Sequence, residues 1–284
     1  MTKPLCTKAI IPVAGFGTRR LPITKAIEKC MIPVGNRPII DYVVQDCIAA
    51  GITDIIFVVG EDFEQLKRYY SRNLPLEEYL EQKGKTAELE AVRALGTGVR
   101  FHYVVQDAYQ AYGTSVPVHL ARGIIEAGER FVVVLGDQFI YRTDGSSELG
   151  SFMQRTAALK TQSAMLAVEV PLIETPNYGV IATISDPQHS DSMLYDHIVE
   201  RPASPAEAPS NLINPSVYIL EYKALQFITA NTEADMEGEH QLVDALNDYV
   251  AAGNAIAVLK TEGEYLDCGT VRGWLNANNR ILAI

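Results

Sequence analysis

The sequence predicts an α/β protein with a Rossmann-like, doubly wound sheet that is mixed but mainly parallel. Near-continuous apolar runs at residues 9–13, 55–59 and 131–135 are typical of strands buried on both faces of a parallel sheet. Between them, apolar residues recur at helical spacing over 39–48 and 116–127. This alternation of strand and helix favours right-handed crossovers that place helices on both faces of the sheet.

The other elements extend this pattern. In the first half we expect a helix over 63–70, a strand over 99–105 and a charge-rich helical excursion over 74–95. The second half is richer in strands, which we expect at 163–170, 178–184, 194–199, 212–220 and 255–259. Helical spacing returns over 241–252 and 271–282, and the Pro, Ser and Ala content of 201–210 indicates a loop.

The chain reads as one continuous unit. No internal repeat, low-complexity tract or long linker divides its 284 residues. We therefore expect a single domain over 1–284, whose second half enlarges the sheet and closes one side of a cleft.

Composition narrows the class of protein. Hydrophobic residues make up 48% and charged residues 21%, as in an ordinary soluble protein, and the net charge of −11 argues against nucleic acid as a partner. No apolar run approaches the roughly 20 residues of a membrane helix, and the first residues lack a signal-peptide stretch. The four cysteines form no C-x-x-C pair, which favours free thiols. We expect a cytoplasmic protein without a membrane partner.

The most informative segment is residues 14–38. The first predicted strand runs into a loop that contains Gly15 and Gly17, and basic side chains follow at Arg19, Arg20, Lys25 and Lys29. A glycine loop lets backbone N–H groups approach a phosphate, and basic residues supply the opposing charge. In an acidic chain this cluster predicts an anionic ligand; the alternative is a solvated basic surface loop.

Two common phosphate-binding motifs do not fit this loop. A dinucleotide-binding fingerprint needs a third glycine where Arg20 stands, and a P-loop needs Gly-Lys-Ser/Thr after a four-residue spacer. The loop nevertheless lies at the carboxyl end of a strand, where ligands of doubly wound sheets bind, and so does Gly136-Asp137.

The segment resembles the signature of the sugar-phosphate nucleotidylyltransferases, G-x-G-T-R-x-x-P-x-T-x-x-x-x-K. The residues that match it are Gly15, Gly17, Thr18, Arg19, Pro22, Thr24 and Lys29. Within this family the chain is most similar to the bacterial glucose-1-phosphate uridylyltransferases, or UDP-glucose pyrophosphorylases. The likeness continues through Gln106, Gly136-Asp137, Tyr178-Gly179, Glu200-Arg201-Pro202 and Asp267-Cys268-Gly269. It implies a nucleotide-diphospho-sugar transferase fold, with a nucleotide-binding half at about 1–140 and a sugar-binding half with the C-terminal helices at about 141–284.

The resemblance also implies an activity. Family members transfer a uridylyl group from UTP to glucose 1-phosphate, giving UDP-glucose and pyrophosphate, by Mg²⁺-assisted in-line attack. Such a reaction needs positioning and charge neutralisation rather than covalent work by the protein. Relatives form homodimers or homotetramers.

Residue roles follow from the same likeness. Arg19 and Lys29 would hold the triphosphate and the leaving pyrophosphate, and Asp137 and Asp267, each at a strand end, would hold Mg²⁺, with Asp137 also catalytic. The nucleotide would be bound by Ala14, Gly15, Gly17, Thr18, Cys30, Gln106 and Gly113. The sugar phosphate would be bound by Tyr178, Gly179, Glu200 and Arg201.

Each assignment has a structural alternative. Asp137 could cap a turn, Asp267 could be the N-cap of the last helix, and Glu200-Arg201 could be a surface ion pair. Gln106 could be an ordinary strand-end residue, although its amide offers the donor and acceptor that uracil requires. At the level of function, the same chemistry on dTTP or another sugar phosphate stays open, and so does a non-catalytic paralogue that binds a nucleotide sugar and regulates a partner. The expected sign of that paralogue, loss of the catalytic residues, is absent from the sequence.

The chain departs from the family pattern beside the base and the sugar. Glu28-Lys29-Cys30-Met31 stands for Pro-Lys-Glu-Met, and Ala111-Tyr112-Gly113-Thr114-Ser115 for Gly-Leu-Gly-His-Ala. Pro215-Ser216-Val217-Tyr218 stands for Val-Gly-Arg-Tyr, and Arg201 replaces a lysine. These changes affect the prediction of which nucleotide and which sugar phosphate the protein uses, and they leave the predicted reaction class unchanged.

Overall fold

The computed structural model describes residues 4–107, 111–186, 193–234 and 238–283. The strands are β1 (Lys8–Pro12), β2 (Pro33–Val34), β3 (Arg37–Pro38), β4 (Asp54–Val59), β5 (Arg100–Val105), β6 (Arg130–Val134), β7 (Gln138–Tyr141), β8 (Ser163–Glu169), β9 (Gly179–Ser185), β10 (Met193–Glu200), β11 (Leu212–Ile213), β12 (Val217–Glu221), β13 (Ile256–Lys260) and β14 (Glu264–Asp267). The helices are α1 (Ile39–Ala49), α2 (Glu64–Tyr70), α3 (Leu74–Gln82), α4 (Thr86–Arg93), α5 (Ser115–Ala121), α6 (Glu148–Ala157), α7 (Ala224–Glu233), α8 (Leu242–Ala251) and α9 (Val271–Ile281).

One ten-stranded sheet takes strands from both halves of the chain, in the order β11-β9-β10-β13-β8-β12-β6-β1-β4-β5. Strands β6, β1, β4 and β5 pair in parallel, and so do β8 and β13. Strand β12 lies antiparallel between β6 and β8, and β10 and β11 also run against their neighbours. The predicted mixed, mainly parallel sheet is confirmed.

Burial on both faces explains the apolar composition of the central strands. All six residues of β4 are buried, and successive residues enter different cores: Ile55 and Phe57 belong to one hydrophobic cluster, Ile56 and Val58 to the other. Apolar side chains therefore recur at every position rather than at every second one. The carboxyl ends of these strands leave the sheet at the same edge.

The strand predicted over 212–220 is instead divided into β11 and β12. Ser216 has a φ of 54°, a left-handed conformation that cannot continue a strand, and Pro215 before it has no N–H for a ladder bond. Both pieces pair with β8, but the second neighbour of β11 is β9 whereas that of β12 is β6.

A second, two-stranded sheet is formed by β7 and β14, neither of which the sequence patterns predicted. The strands are antiparallel, and Asp267 is paired with Gln138. This pairing brings the end of β14 next to the turn that follows β6. Among the described residues, the helices are too short or too polar to cross a membrane.

Candidate active site

A cavity of about 640 Å³ opens at the carboxyl ends of β1 and β4. One wall consists of residues 13–16, 18, 21 and 24–29 from the signature segment, and the other of residues 59–63 and 65, at the end of β4 and after it. Its position agrees with the rule that open α/β sheets bind ligands beyond the carboxyl ends of their strands, and its volume is in the range of small-molecule sites. The predicted nucleotide contacts Ala14, Gly15 and Thr18 all line it.

Local geometry requires a glycine at position 17, and the glycine at position 15 leaves room for the tip of Lys29. Gly17 has a φ of 65°, and a Cβ there would lie 2.9 Å from Thr24 Cγ2 and 3.0 Å from Lys29 Cβ. A Cβ at Gly15 would lie 3.3 Å from Lys29 Nζ. The loop can therefore wrap closely around the lysine, whose ammonium group passes directly beside the Gly15 backbone.

The Lys29 ammonium group forms an ion pair with Asp137. Nζ lies 3.0 Å from Oδ2, and the two side chains are 22% and 23% exposed. Burial raises the pKa of Asp137, but the charge and hydrogen bond of Lys29, together with the charge of Arg19, outweigh it and hold the pKa below its ordinary value. Asp137 is therefore ionised at neutral pH, and its carboxylate is paired with the predicted catalytic lysine.

The turn that carries Asp137 is packed tightly against the sheet. A Cβ on Gly136 would lie 2.4 Å from Val13 Cγ1 and 3.0 Å from Ile40 Cδ1, so this position has no room for a side chain. The close packing fixes where the carboxylate of Asp137 leaves the sheet.

Asp267 is brought to the same place by the β7–β14 pairing, since it lies opposite Gln138, the neighbour of Asp137. Its Oδ1 accepts the N–H of Gly269 at 2.8 Å. The side-chain cap of α9 is supplied by Thr270, whose Oγ1 accepts the N–H of Gly273 at 3.0 Å. The alternative role of Asp267 as that helix cap is thus taken by another residue.

Arg20 joins the signature segment to the chain around Asp267. The residue is 6% exposed, and its guanidinium donates to the carbonyl of Cys268 at 2.8 Å and lies 5.7 Å from the ring centre of Trp274. Burial lowers the pKa of Arg20, and the nearby groups of Cys268, Asp137 and Asp267 oppose that shift. From the sequence, Arg20 excluded a dinucleotide fingerprint and was counted in the basic cluster. In the structure it is a buried cation that is bonded to the chain directly after Asp267.

The predicted sugar-phosphate residues lie where β9 and β10 meet. Gly179 is paired with Glu200, and a Cβ on Gly179 would lie 2.6 Å from Glu200 Oε1. The carboxylate therefore occupies the space that a side chain at position 179 would fill. Burial raises the pKa of Glu200, while the charge of Arg201 lowers it and that of Asp244 raises it further.

Arg201 and Tyr178 complete this region. Arg201 has a φ of 45°, and its N–H donates to the carbonyl of Tyr178 at 3.0 Å. Burial raises the pKa of Tyr178, and the charges of Asp267 and Glu174 raise it further. The backbone hydrogen bond holds Arg201, which follows β10, beside Tyr178, which precedes β9.

The other predicted nucleotide contacts, Cys30, Gln106 and Gly113, are not among the residues that line the cavity. Cys30 is 1% exposed and packs in the core, where burial raises the pKa of its thiol to about 12. A contact between its side chain and a base would require the backbone to shift. Gln106 follows β5, and its N–H donates to the carbonyl of Val59 at 2.8 Å. Its role as the base-reading residue stays a prediction.

The loop around Gly113 is held against the segment that precedes α8. Gly113 has a φ of 107°, and a Cβ there would lie 2.4 Å from the carbonyl oxygen of His240. Thr114, one of the departures from the family pattern, accepts the N–H of Leu242 at 2.8 Å and donates to Gln241 Oε1 at 3.1 Å. Its hydroxyl therefore caps the first turn of α8, which gives this departure a structural reason.

The second wall of the cavity, residues 59–63 and 65, is absent from the residues selected by sequence. The sequence feature that could have identified this wall is Gly60, which directly follows a predicted parallel strand. The carboxyl end of every such strand is a candidate ligand-binding position. The contacts that hold this wall to the signature segment involve the side chains of Glu28 and Gln65, which no motif marks.

Comparison with known proteins gives a consistent result. A family model for nucleotidyl transferases matches residues 8–284. A UTP–glucose-1-phosphate uridylyltransferase of Pseudomonas aeruginosa is 34% identical over 272 residues, which cover 96% of this chain and 94% of that protein. A protein of the same name from Bacillus subtilis is 34% identical over 272 residues, covering 94% of this chain and 88% of that protein.

Solved structures agree. A UTP-bound UGPase from Acinetobacter baumannii has a TM-score of 0.86 to this chain at 30% identity, covering 97% of this chain and 93% of that one. A UDP-glucose pyrophosphorylase complexed with UDP-glucose has a TM-score of 0.81 at 27% identity, covering 98% of this chain and 99% of that one. The resemblance and the fold predicted from the sequence are both confirmed. The chain belongs to the nucleotidyl transferase family and is a nucleotidyltransferase.

Proposed function

We propose that this protein transfers a uridylyl group from UTP to glucose 1-phosphate, giving UDP-glucose and pyrophosphate. The observation that carries the proposal is the Lys29–Asp137 pair, 3.0 Å apart beside the glycine loop, with Asp267 on the strand next to it. These groups are what a reaction between two polyanions requires: cations for the phosphates and carboxylates for a metal ion. The names of the relatives supply the substrates, UTP and glucose 1-phosphate.

In this reaction a phosphate oxygen of glucose 1-phosphate attacks the α-phosphorus of UTP. The bond from that phosphorus to the bridging oxygen of the β-phosphate breaks, and pyrophosphate leaves with its electron pair. Because the attacking phosphate is already deprotonated at neutral pH, no general base is needed. Lys29 and Arg19 neutralise charge on the triphosphate, and backbone N–H groups of the glycine loop orient it.

On the sugar side, Arg201 would hold the phosphate of glucose 1-phosphate, and Glu200 would accept hydrogen bonds from the sugar hydroxyls. Tyr178 and Gly179 would contact the sugar beside them. In this proposal the phosphate of glucose 1-phosphate faces the carboxyl edge of the sheet, where the nucleotide cavity opens.

Nucleotidyltransferases generally use a divalent metal ion, and the donors here fit magnesium. Asp137 and Asp267 offer hard carboxylate oxygens from two adjacent chain segments, which matches the preference of Mg²⁺ for one or two carboxylates plus substrate phosphates and water. In the described part of the chain, no group of three or more His, Cys, Asp or Glu residues forms a complete metal cage. When bound, the ion would neutralise phosphate charge and align the phosphates for attack.

A substrate panel tests the choice of UTP and glucose 1-phosphate. Pyrophosphate release is measured with UTP, dTTP, ATP, CTP and GTP, each against glucose, galactose, mannose and N-acetylglucosamine 1-phosphates in the presence of Mg²⁺. We expect UTP with glucose 1-phosphate to have the highest kcat/KM. A higher value for dTTP or for another sugar phosphate would transfer the proposal to that pair.

Gly179→Ala tests the sugar side separately. The added methyl group would lie 2.6 Å from Glu200 Oε1, so either the carboxylate or the strand must move. A displaced carboxylate would lose its hydrogen bonds to the sugar hydroxyls, and a hydrogen bond to a charged group is worth about 1.5–3 kcal/mol, so we expect KM for glucose 1-phosphate to rise roughly 10- to 150-fold. We expect UTP binding, measured by calorimetry, to stay unchanged.

The matched control is Gly123→Ala, where a Cβ meets nothing within 4 Å. An unchanged KM for glucose 1-phosphate in Gly179→Ala would contradict the proposal that Glu200 binds the sugar.

A further inference from the structure

Glu28 directly precedes the lysine that pairs with Asp137 and stands at a position where the chain departs from the family pattern. Its carboxylate does not point freely into the cavity. Oε1 accepts the N–H of Gln65 at 2.7 Å, and the N–H of Leu66 lies 3.3 Å from Oε2. These donors belong to the first turn of α2, which has no side-chain cap of its own at Phe63. Glu28 therefore caps a helix on the opposite wall of the cavity.

Gln65 returns the interaction. Its side-chain Oε1 accepts the N–H of Glu28 at 3.0 Å, and its Nε2 donates to the carbonyl of Ala26 at 2.8 Å. The amide thus uses both its acceptor and a donor on the backbone of the signature segment. Together the two residues form a reciprocal clamp, named here the Glu28–Gln65 clamp, between the two walls.

The clamp fixes the backbone from which Lys29 extends. The N–H of Glu28 is held by Gln65, and its carbonyl accepts the N–H of Met31 at 2.8 Å, which closes the short 3₁₀ turn Lys29–Met31. On the other side of Lys29, the Gly15 backbone and Asp137 leave its ammonium group little freedom. The position of the lysine is therefore set at its backbone by the clamp and at its tip by Asp137.

Electrostatics give a reason for the arrangement. Glu28, Glu61 and Asp62 all line a cavity that we assign to a triphosphate, and an unengaged carboxylate there would repel the ligand. The carboxylate of Glu28 instead faces the N–H groups at the start of α2, where a negative charge is stabilised. The carboxylate of Glu28 thus joins the two walls and points away from the position assigned to the phosphates.

We propose that Glu28 is a positioning residue that, through its reciprocal hydrogen bonds with Gln65, holds Lys29 in register with Asp137 and couples it to the far wall of the nucleotide cavity. The inference rests on the proposed function only for the role of Lys29. Glu28 contacts neither reacting group, so its effect passes through the lysine.

The first test does not depend on turnover. Lysines are dimethylated with ¹³C-formaldehyde, and the Lys29 signal in the NMR spectrum is assigned by its loss in Lys29→Arg. We expect Glu28→Ala and Gln65→Ala each to shift or broaden this signal. The control is Glu64→Gln, which removes the charge of the residue next to Gln65 but leaves the clamp intact, and it should not change the signal. A Lys29 signal identical to wild type in both clamp variants overturns the proposal.

The second test is kinetic. In the wild-type background, Glu28→Ala is expected to lower kcat about tenfold, with KM for glucose 1-phosphate unchanged, since small displacements of a positioning group are costly. In the Lys29→Met background the same substitution should change kcat less than twofold. An equal loss in both backgrounds contradicts action through Lys29.

Gln65→Ala guards against a folding defect in Glu28→Ala, because it removes the side-chain half of the clamp and keeps the cap of α2. Absence of pyrophosphate release by the wild-type protein would count against the proposed function, and the NMR test would still decide the role of Glu28.

Discussion

Replacement of Asp137 by asparagine is expected to lower kcat for UDP-glucose formation by about 10³-fold or more, while the protein stays folded. Asparagine keeps the shape of the side chain but removes the charge that pairs with Lys29 at 3.0 Å and that would hold the metal ion. Two functions are lost at once, so the effect should exceed that of any single phosphate contact. Pyrophosphate release at saturating UTP, glucose 1-phosphate and Mg²⁺ measures it.

The matched control is Asp248→Asn, the same change at an exposed position of α8. Circular dichroism and thermal unfolding show whether each variant is folded. An Asp137→Asn protein that is folded and turns over within tenfold of wild type would rule out the metal-binding and catalytic role of this carboxylate.

Lys29→Met is expected to lower kcat by about 10²- to 10³-fold, the usual cost of removing one preorganised group that stabilises developing negative charge. Methionine is one atom shorter than lysine but keeps an unbranched apolar stem, so packing around Gly17 changes little. Lys67→Met, at an exposed position of α2, is the charge-matched control.

The same variant should also change the pH profile. In the folded wild type Lys29 depresses the pKa of Asp137, so the carboxylate remains ionised to lower pH than an isolated aspartate. Without the lysine, burial acts with less opposition and the pKa of Asp137 rises. The acid limb of the residual activity should therefore move to higher pH; an unmoved acid limb would show that Lys29 and Asp137 do not interact during turnover.

The signature motif and the apolar periodicity were sufficient to predict the part of the candidate site that lies in the signature segment and at the ends of the parallel strands. Gly15, Gly17 and Lys29 belong to one continuous signature, which is long enough to be specific. Asp137 follows a buried parallel strand, so its location at the carboxyl edge of the sheet follows from the topology alone. The parallel strands β1, β4 and β6 were predicted to within a residue or two, since strands buried on both faces have an unmistakable apolar composition.

Contacts distant in sequence were not predictable in this way. The pairing of β7 with β14 sets Asp267 beside Asp137, yet both strands are only four residues long and mix polar with apolar side chains. Arg20 reaches Cys268 across 248 positions, and Glu28 reaches Gln65 across 37. Such pairs depend on how the chain packs, which no local pattern encodes. Cys30 shows the reverse: its neighbour in sequence enters the site, while its own side chain turns into the core.

The central claim is that Lys29, Asp137 and Asp267 form one nucleotidyl-transfer site, and phosphorus NMR of a complete reaction tests it most directly. The protein is mixed with UTP, glucose 1-phosphate and Mg²⁺, and the phosphorus signals are followed with time. We predict that UDP-glucose and pyrophosphate appear in equal amounts as UTP and glucose 1-phosphate are consumed, and that Asp137→Asn abolishes both. Binding of UTP without its consumption, or its hydrolysis without formation of UDP-glucose, would contradict the claim.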